Sequence, residues 1–109
     1  MIDIDDIGLE AFQANAGRAS ALLKALSSPH RLMVLCQLGG AERSVTQLQA
    51  AVALSQSALS QHLAVLREEG LVTTRREGTS ILYRIADPAA LKVIAVLIEI
   101  YCPPSPKDD

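Results

Sequence analysis

No stretch of this 109-residue chain approaches the run of about 18 apolar residues that crosses a bilayer, and its first 30 residues lack the basic start and apolar centre of a secretory signal. A cytoplasmic protein with no membrane partner is therefore expected. The chain also lacks a basic excess. Its formal net charge is -2, which on its face argues against contact with a polyphosphate, because such contact is electrostatic. Chemistry-bearing clusters are scarce too. There are only two Cys and two His, no CxxC, and no Ser/His/Asp or paired-carboxylate arrangement. That composition argues against a zinc knuckle, a thioredoxin-like active site and hydrolytic catalysis. No metal, no cofactor and no enzymatic activity are expected.

What is present is a chain that is 50% hydrophobic, without internal repeats, and of a length suited to one domain spanning 1–109. A core built from so few residues is marginal, and a subunit interface would supplement it. The charge is unevenly spread. Asp3, Asp5, Asp6 and Glu10 lead the chain and Asp108 and Asp109 end it, so residues 11–106 carry nine Lys and Arg against six Asp and Glu. The middle is net basic, which permits a nucleic-acid partner without identifying one.

The hydrophobic spacing predicts a mainly α protein with a β-hairpin, in the order ααααββα. Phe12, Ala16, Ala19, Leu23 and Leu26 recur at steps of three and four and place a first helix over Leu9 to Leu26. Ser28 followed by Pro29 is an N-cap plus a favoured first helical residue, opening a second helix to about Leu38. Gly39 and Gly40 are suited to close it in the left-handed conformation. After a short, extended stretch around Ser44 and Val45, Thr46 to Gln49 fits a capping box for a third helix ending near Ala53. Ser55 caps a fourth through Glu69, with Leu59, Leu63 and Leu66 as its buried stripe and Gly70 as its stop. About one residue beyond the cap joins the third and fourth helices. Leu71 to Arg76 and Ile81 to Ala86 are β-prone runs around the turn-forming Glu77, Gly78, Thr79 and Ser80. Asp87 and Pro88 repeat the cap signal for a fifth helix to about Cys102, beyond which Pro103, Pro104 and Pro106 forbid helix. Residues 1–8 and 103–109 are expected to be irregular.

Two helices in tight succession and a following hairpin have the form of a winged helix-turn-helix. The leucine stripe of the fourth helix leaves Gln56, Ser57, Ser60 and Gln61 on the opposite side of its first two turns. Gln can pair with adenine and Ser can reach base edges or phosphates, while a helix N-terminus favours phosphate oxygens. Arg67, Arg75, Arg76 and Arg84 lie where they could meet the backbone of a duplex, with the hairpin as a wing in or beside a minor groove. A polar helix face is ordinarily just solvated; it is the combination with a capped helix pair and a basic hairpin that points to double-stranded DNA. His62 borders both this face and the leucine stripe, and is read as packing or a local hydrogen bond rather than as a DNA contact.

The fifth helix carries only Lys92 and Glu99 as charges, while Val93, Ile94, Val96, Leu97, Ile98 and Ile100 point in nearly every direction around it. One small domain cannot cover all of that, so a homodimer through the first and fifth helices is expected. A two-fold dimer would set two reading helices on successive major grooves, predicting an inverted-repeat operator. Cys36 and Cys102 stand 66 positions apart. Taken alone, each reads as a small buried hydrophobe, since a structural disulfide is disfavoured in the cytosol.

Leu26–Leu35 (LSSPHRLMVL), Ser44–Leu48 (SVTQL), Leu54–Val72 (LSQSALSQHLAVLREEGLV) and Thr74–Tyr83 (TRREGTSILY) together resemble the ArsR/SmtB family of winged helix-turn-helix repressors, over roughly residues 18–102. LSQSALSQHL and the ending Tyr101, Cys102, taken with Cys36, resemble its subgroup of reactive-sulfur (persulfide) sensors, which includes BigR, SqrR and HlyU. Metal-sensing relatives carry a CxC unit in the segment that here reads Arg43, Ser44, Val45, Thr46; Ser44 and Thr46 stand in place of the thiolates. A second familiar metal site uses His and Asp on the last helix, and only Asp87 could correspond. The resemblance implies a repressor released from DNA when Cys36 and Cys102 become linked by a disulfide or polysulfide bridge. Release by a metal or a general oxidant is the alternative it leaves; a thiol oxidoreductase is remote, given the separation of the two thiols.

Overall fold

Side-chain caps set every helix start but the first. In the structure, a computed structural model that describes residues 8–102, the Ser28 hydroxyl accepts from the Arg31 amide and opens α2 (Pro29–Gln37). Ser55 does the same for Ala58 at α4 (Gln56–Glu68), and the Asp87 carboxylate accepts from Ala89 N at 2.8 Å to open α5 (Pro88–Tyr101). Each cap satisfies one of the amides that a helix start leaves unpaired. The first helix, α1, spans Leu9–Leu26 as expected. The expectation of irregular chain at 1–8 and 103–109 falls, apart from Gly8, outside the described residues.

Several boundaries differ from expectation for identifiable reasons. The capping box lies at Ser44 and Gln47, two residues before the expected one. Ser44 Oγ accepts from Gln47 N at 3.1 Å, and Gln47 Oε1 accepts from Ser44 N at 2.9 Å. Ser44 ends a short strand β1 (Arg43–Ser44) and has the extended backbone that an N-cap needs, whereas Thr46 is already inside α3 (Val45–Ala51). That helix ends at Ala51 rather than Ala53, so the connection to α4 is Val52 to Ser55, longer than expected. Gly39 and Gly40 do not enter the left-handed region; instead the Leu38 amide bonds back to the carbonyls of Val34 and Leu35 and closes α2. At Gly70 the left-handed stop is real, with φ 77. Its amide bonds to the Arg67 carbonyl and that of Leu71 to the Leu66 carbonyl, the two bonds of a Schellman motif.

The hairpin forms between β2 (Val72–Glu77) and β3 (Ser80–Ile85), joined by Gly78 and Thr79, with Gly78 at φ 64. β1 adds to the other edge of β3, pairing Arg43 with Tyr83 and Ser44 with Leu82, so the sheet has three antiparallel strands in the order β1-β3-β2. The third strand was visible in the sequence only as an extended stretch, because two residues carry no period. Beneath the sheet, Leu59, Leu63 and Leu66 of α4 are fully buried with Val34, Leu35, Leu48 and Ile94 in one cluster.

Two surfaces remain uncovered. α1 buries only Ala25 and Leu26, at its last turn, where Arg31 of α2 donates from Nε to the Ala25 carbonyl at 2.7 Å. Phe12 and Leu23 of the predicted α1 stripe are 51% and 62% exposed. On α5, Leu91, Val96, Ile100 and Tyr101 are likewise open to solvent.

Candidate nucleic-acid interface and thiol pair

The leucine stripe turns α4 so that Gln56, Ser57, Ser60 and Gln61 are all exposed along its first two turns. Ser60 and Arg67 line a groove of about 360 Å³ whose opposite wall is Tyr83 of β3. Arg67 thus shares a surface with the exposed edge of α4, next to the hairpin.

The register of the hairpin sorts its arginines. Residues paired across two strands share a sheet face and successive residues alternate. Arg76 is paired with Ile81 and so shares a face with Val72, Thr74, Tyr83 and Ile85, the side on which α4 lies. Arg75, paired with Leu82, and Arg84, paired with Thr73, occupy the other face. The structure therefore brings Arg67 and Arg76 to the α4 side of the wing and sets Arg75 and Arg84 on its back.

Arg75 is also engaged. Its guanidinium donates from Nε and Nη2 to both carboxylate oxygens of Glu42, at 2.8 to 3.0 Å, with Glu77 a further 3.9 Å neighbour. The bond from Arg75 and the charges of Arg75 and Arg84 hold the Glu42 carboxyl below its ordinary range. Sequence reading missed Glu42, because its partner is distant in the chain and only sheet pairing brings the two together.

His62 is half-buried and its ring lies 5.6 Å, centroid to centroid, from that of His30 at the start of α2. Burial, followed by the positive charges of Arg31 and His30, pushes its pKa down, favouring the neutral ring. This is the packing role expected for it.

Both cysteines are free thiols. Cys36, half-buried on α2, lines a groove of about 350 Å³ with Ile94, Ala95 and Ile98 of α5. Cys102 is exposed at the end of α5, its amide bonded to the Ile98 carbonyl at 2.7 Å. Burial first, and then the charge of Cys102, push the Cys36 thiol upward. Two residues far apart in sequence are thus brought to the same α2–α5 contact. Among the described residues no group of three or more His, Cys, Asp or Glu is placed to hold a metal ion, and no helix is long and apolar enough to cross a membrane.

Residues 28–74, from the start of α2 into β2, are matched by the model of the bacterial regulatory proteins of the arsR family, and the biofilm growth-associated repressor of Agrobacterium fabrum is 45% identical over 94% of this chain and 88% of its own length. The chain belongs to the ArsR family. Two solved structures place it further: BigR from Xylella fastidiosa, a transcriptional repressor, is 40% identical with a TM-score of 0.81, covering 87% of this chain and 97% of that one. Reduced HlyU from Vibrio cholerae is 42% identical with the same score, covering 85% and 98%. This ArsR-family protein thus falls in the BigR/HlyU subgroup. It is a winged helix-turn-helix transcriptional regulator and not an enzyme.

Proposed function

We propose that this ArsR-family regulator is a homodimeric repressor of an inverted-repeat operator that is released when Cys36 and Cys102 of one subunit become bridged through sulfur. A single domain would carry both dimerisation and DNA reading. The exposed apolar surfaces of α1 and α5 support the dimer. Gln56, Ser57, Ser60 and Gln61 would read bases, while Arg67, Arg76 and Arg84 would supply cations for the phosphate backbone; Arg75, the fourth cation expected there, is paired with Glu42.

The observation that carries the sensing step is the groove in which Cys36 meets Ile94, Ala95 and Ile98 of α5, the helix that Cys102 closes. Inorganic polysulfide supplies both sulfur and oxidising equivalents. The exposed Cys102 thiolate attacks a sulfane sulfur, an S–S bond breaks, and a shorter hydropolysulfide leaves with the electron pair. The Cys36 thiolate then attacks the sulfur chain on Cys102 and expels hydrosulfide. The two thiol protons leave with the released sulfur anions, and the two cysteines are oxidised while polysulfide is reduced. A bridge with extra sulfur atoms relaxes the short span that a plain disulfide demands. Tying the end of α5 to α2 would alter the dimer contact that sets the spacing of the two α4 helices.

The test is operator binding before and after inorganic polysulfide, with intact-mass analysis, for the wild type, Cys36→Ser and Cys102→Ser. Loss of affinity should require both thiols. Normal release by either single variant, or release by zinc where polysulfide has no effect, would overturn the sensing step.

A further inference from the structure

Three arginines and one glutamate lie between Val72 and Ile85, so the wing has a positive excess to offer to phosphate. Glu42 enters from outside the hairpin and changes that sum. It sits beside the β1 edge, accepts from Nε and Nη2 of Arg75, and lies close enough to Arg84 to feel its charge. Paired fork to carboxylate, Arg75 keeps three of its five N–H groups but has its charge offset by Glu42, and any DNA phosphate must compete with that carboxylate for the cation. Arg76, on the opposite face, has no such carboxylate partner among the ion pairs of the described residues.

We infer that Glu42 is a specificity-determining residue of the wing: by holding the Arg75 guanidinium it keeps that cation from the DNA backbone and lowers sequence-independent binding. The inference rests on the reading of the hairpin as a phosphate-contacting wing. Its logic is that phosphate contacts add affinity to every sequence equally, whereas base contacts discriminate. A repressor facing on the order of 10⁶–10⁹ competing genomic sites gains from muting a cation that reads nothing. A carboxylate does this without removing Arg75, whose pairing also ties the wing to the segment before α3.

The experiment measures equilibrium binding of the full-length protein to double-stranded DNA of random sequence across a salt series, for the wild type, Glu42→Gln and the double variant Glu42→Gln/Arg75→Gln, with the melting temperature of each. Freeing one cation to neutralise one phosphate steepens the salt slope by about 0.9, so between about 50 and about 200 mM salt Glu42→Gln should lose roughly three- to fourfold more affinity than the wild type does. It should also bind more tightly at the lower salt, and the double variant should return to the wild-type slope. A purely structural pair would shift the melting temperature and leave the slope alone, which overturns the inference. Weaker binding by Glu42→Gln overturns it as well, since the pair would then be orienting the wing for contact. If the wild type itself shows no salt-dependent binding to duplex DNA, it is the phosphate-contacting wing that fails.

Discussion

Cys36 shows how one side chain's surroundings set its chemistry. Burial disfavours the thiolate and so does the negative charge of a neighbouring Cys102 thiolate, so both causes raise the pKa from its ordinary 9.0, burial more strongly. The neutral thiol is therefore favoured by folding. That contribution to stability is fully present below the unfolded thiol's pKa and is lost as pH rises through the folded value. Alkylation of Cys36 by iodoacetamide, followed by peptide mass analysis, should accelerate with pH to a midpoint above 9.0. In Cys102→Ser the midpoint should fall only part of the way, because burial remains; a complete return to the ordinary value would contradict that ranking. His62 runs in the opposite direction. Its pKa is depressed by burial and by Arg31 and His30, so its contribution is present above the unfolded value near 6.5 and is lost as pH falls through the folded one. Thermal melts should show less destabilisation between pH 7 and pH 5 in His62→Gln than in the wild type.

The ends of the elements are more informative than their middles. Gly70 takes φ 77 to close α4, and a Cβ there would meet no atom within 4 Å, so Gly70→Ala should cost only the left-handed strain, about 1–2 kcal/mol. Gly40 has equal space without positive φ, and Gly40→Ala should be neutral or stabilising by up to about 1 kcal/mol, through the unfolded chain. Equal effects in chemical denaturation would show that the backbone conformation at Gly70 does not matter. Gly39 is different again, since a Cβ would lie 3.2 Å from the Cys36 carbonyl. Deeper inside, Leu63→Ala should cost about 2–5 kcal/mol, because the site lies at the centre of the buried cluster.

For the whole molecule, the uncovered faces of α1 and α5 carry the prediction. Leu23 is 62% exposed and Ile100 58%, and the proposed interface would remove both from water. Leu23→Glu/Ile100→Glu should therefore sediment as a monomer and lose cooperative binding to an inverted-repeat operator. Its melting temperature should also lose the concentration dependence expected of the wild type. A dimer of unchanged affinity would place the interface elsewhere.

Periodicity and capping chemistry are local, and the sequence by itself determined what they encode: five helices, the Ser28, Ser55 and Asp87 caps, the leucine stripe of α4, the Gly70 stop and the hairpin. The exposed edge at Gln56 to Gln61 followed from that stripe, since burying one side of a helix defines the other. The cap of α3 fell to Ser44 rather than to the expected Thr46 because pairing of β1 with β3 extends the backbone at Ser44. Only the tertiary structure decided which face of the wing each arginine occupies, since that depends on register across β2 and β3. It likewise put Glu42 against Arg75 and His30 beside His62. No local pattern marks such pairs: the chain specifies them only through the packing that brings distant segments together.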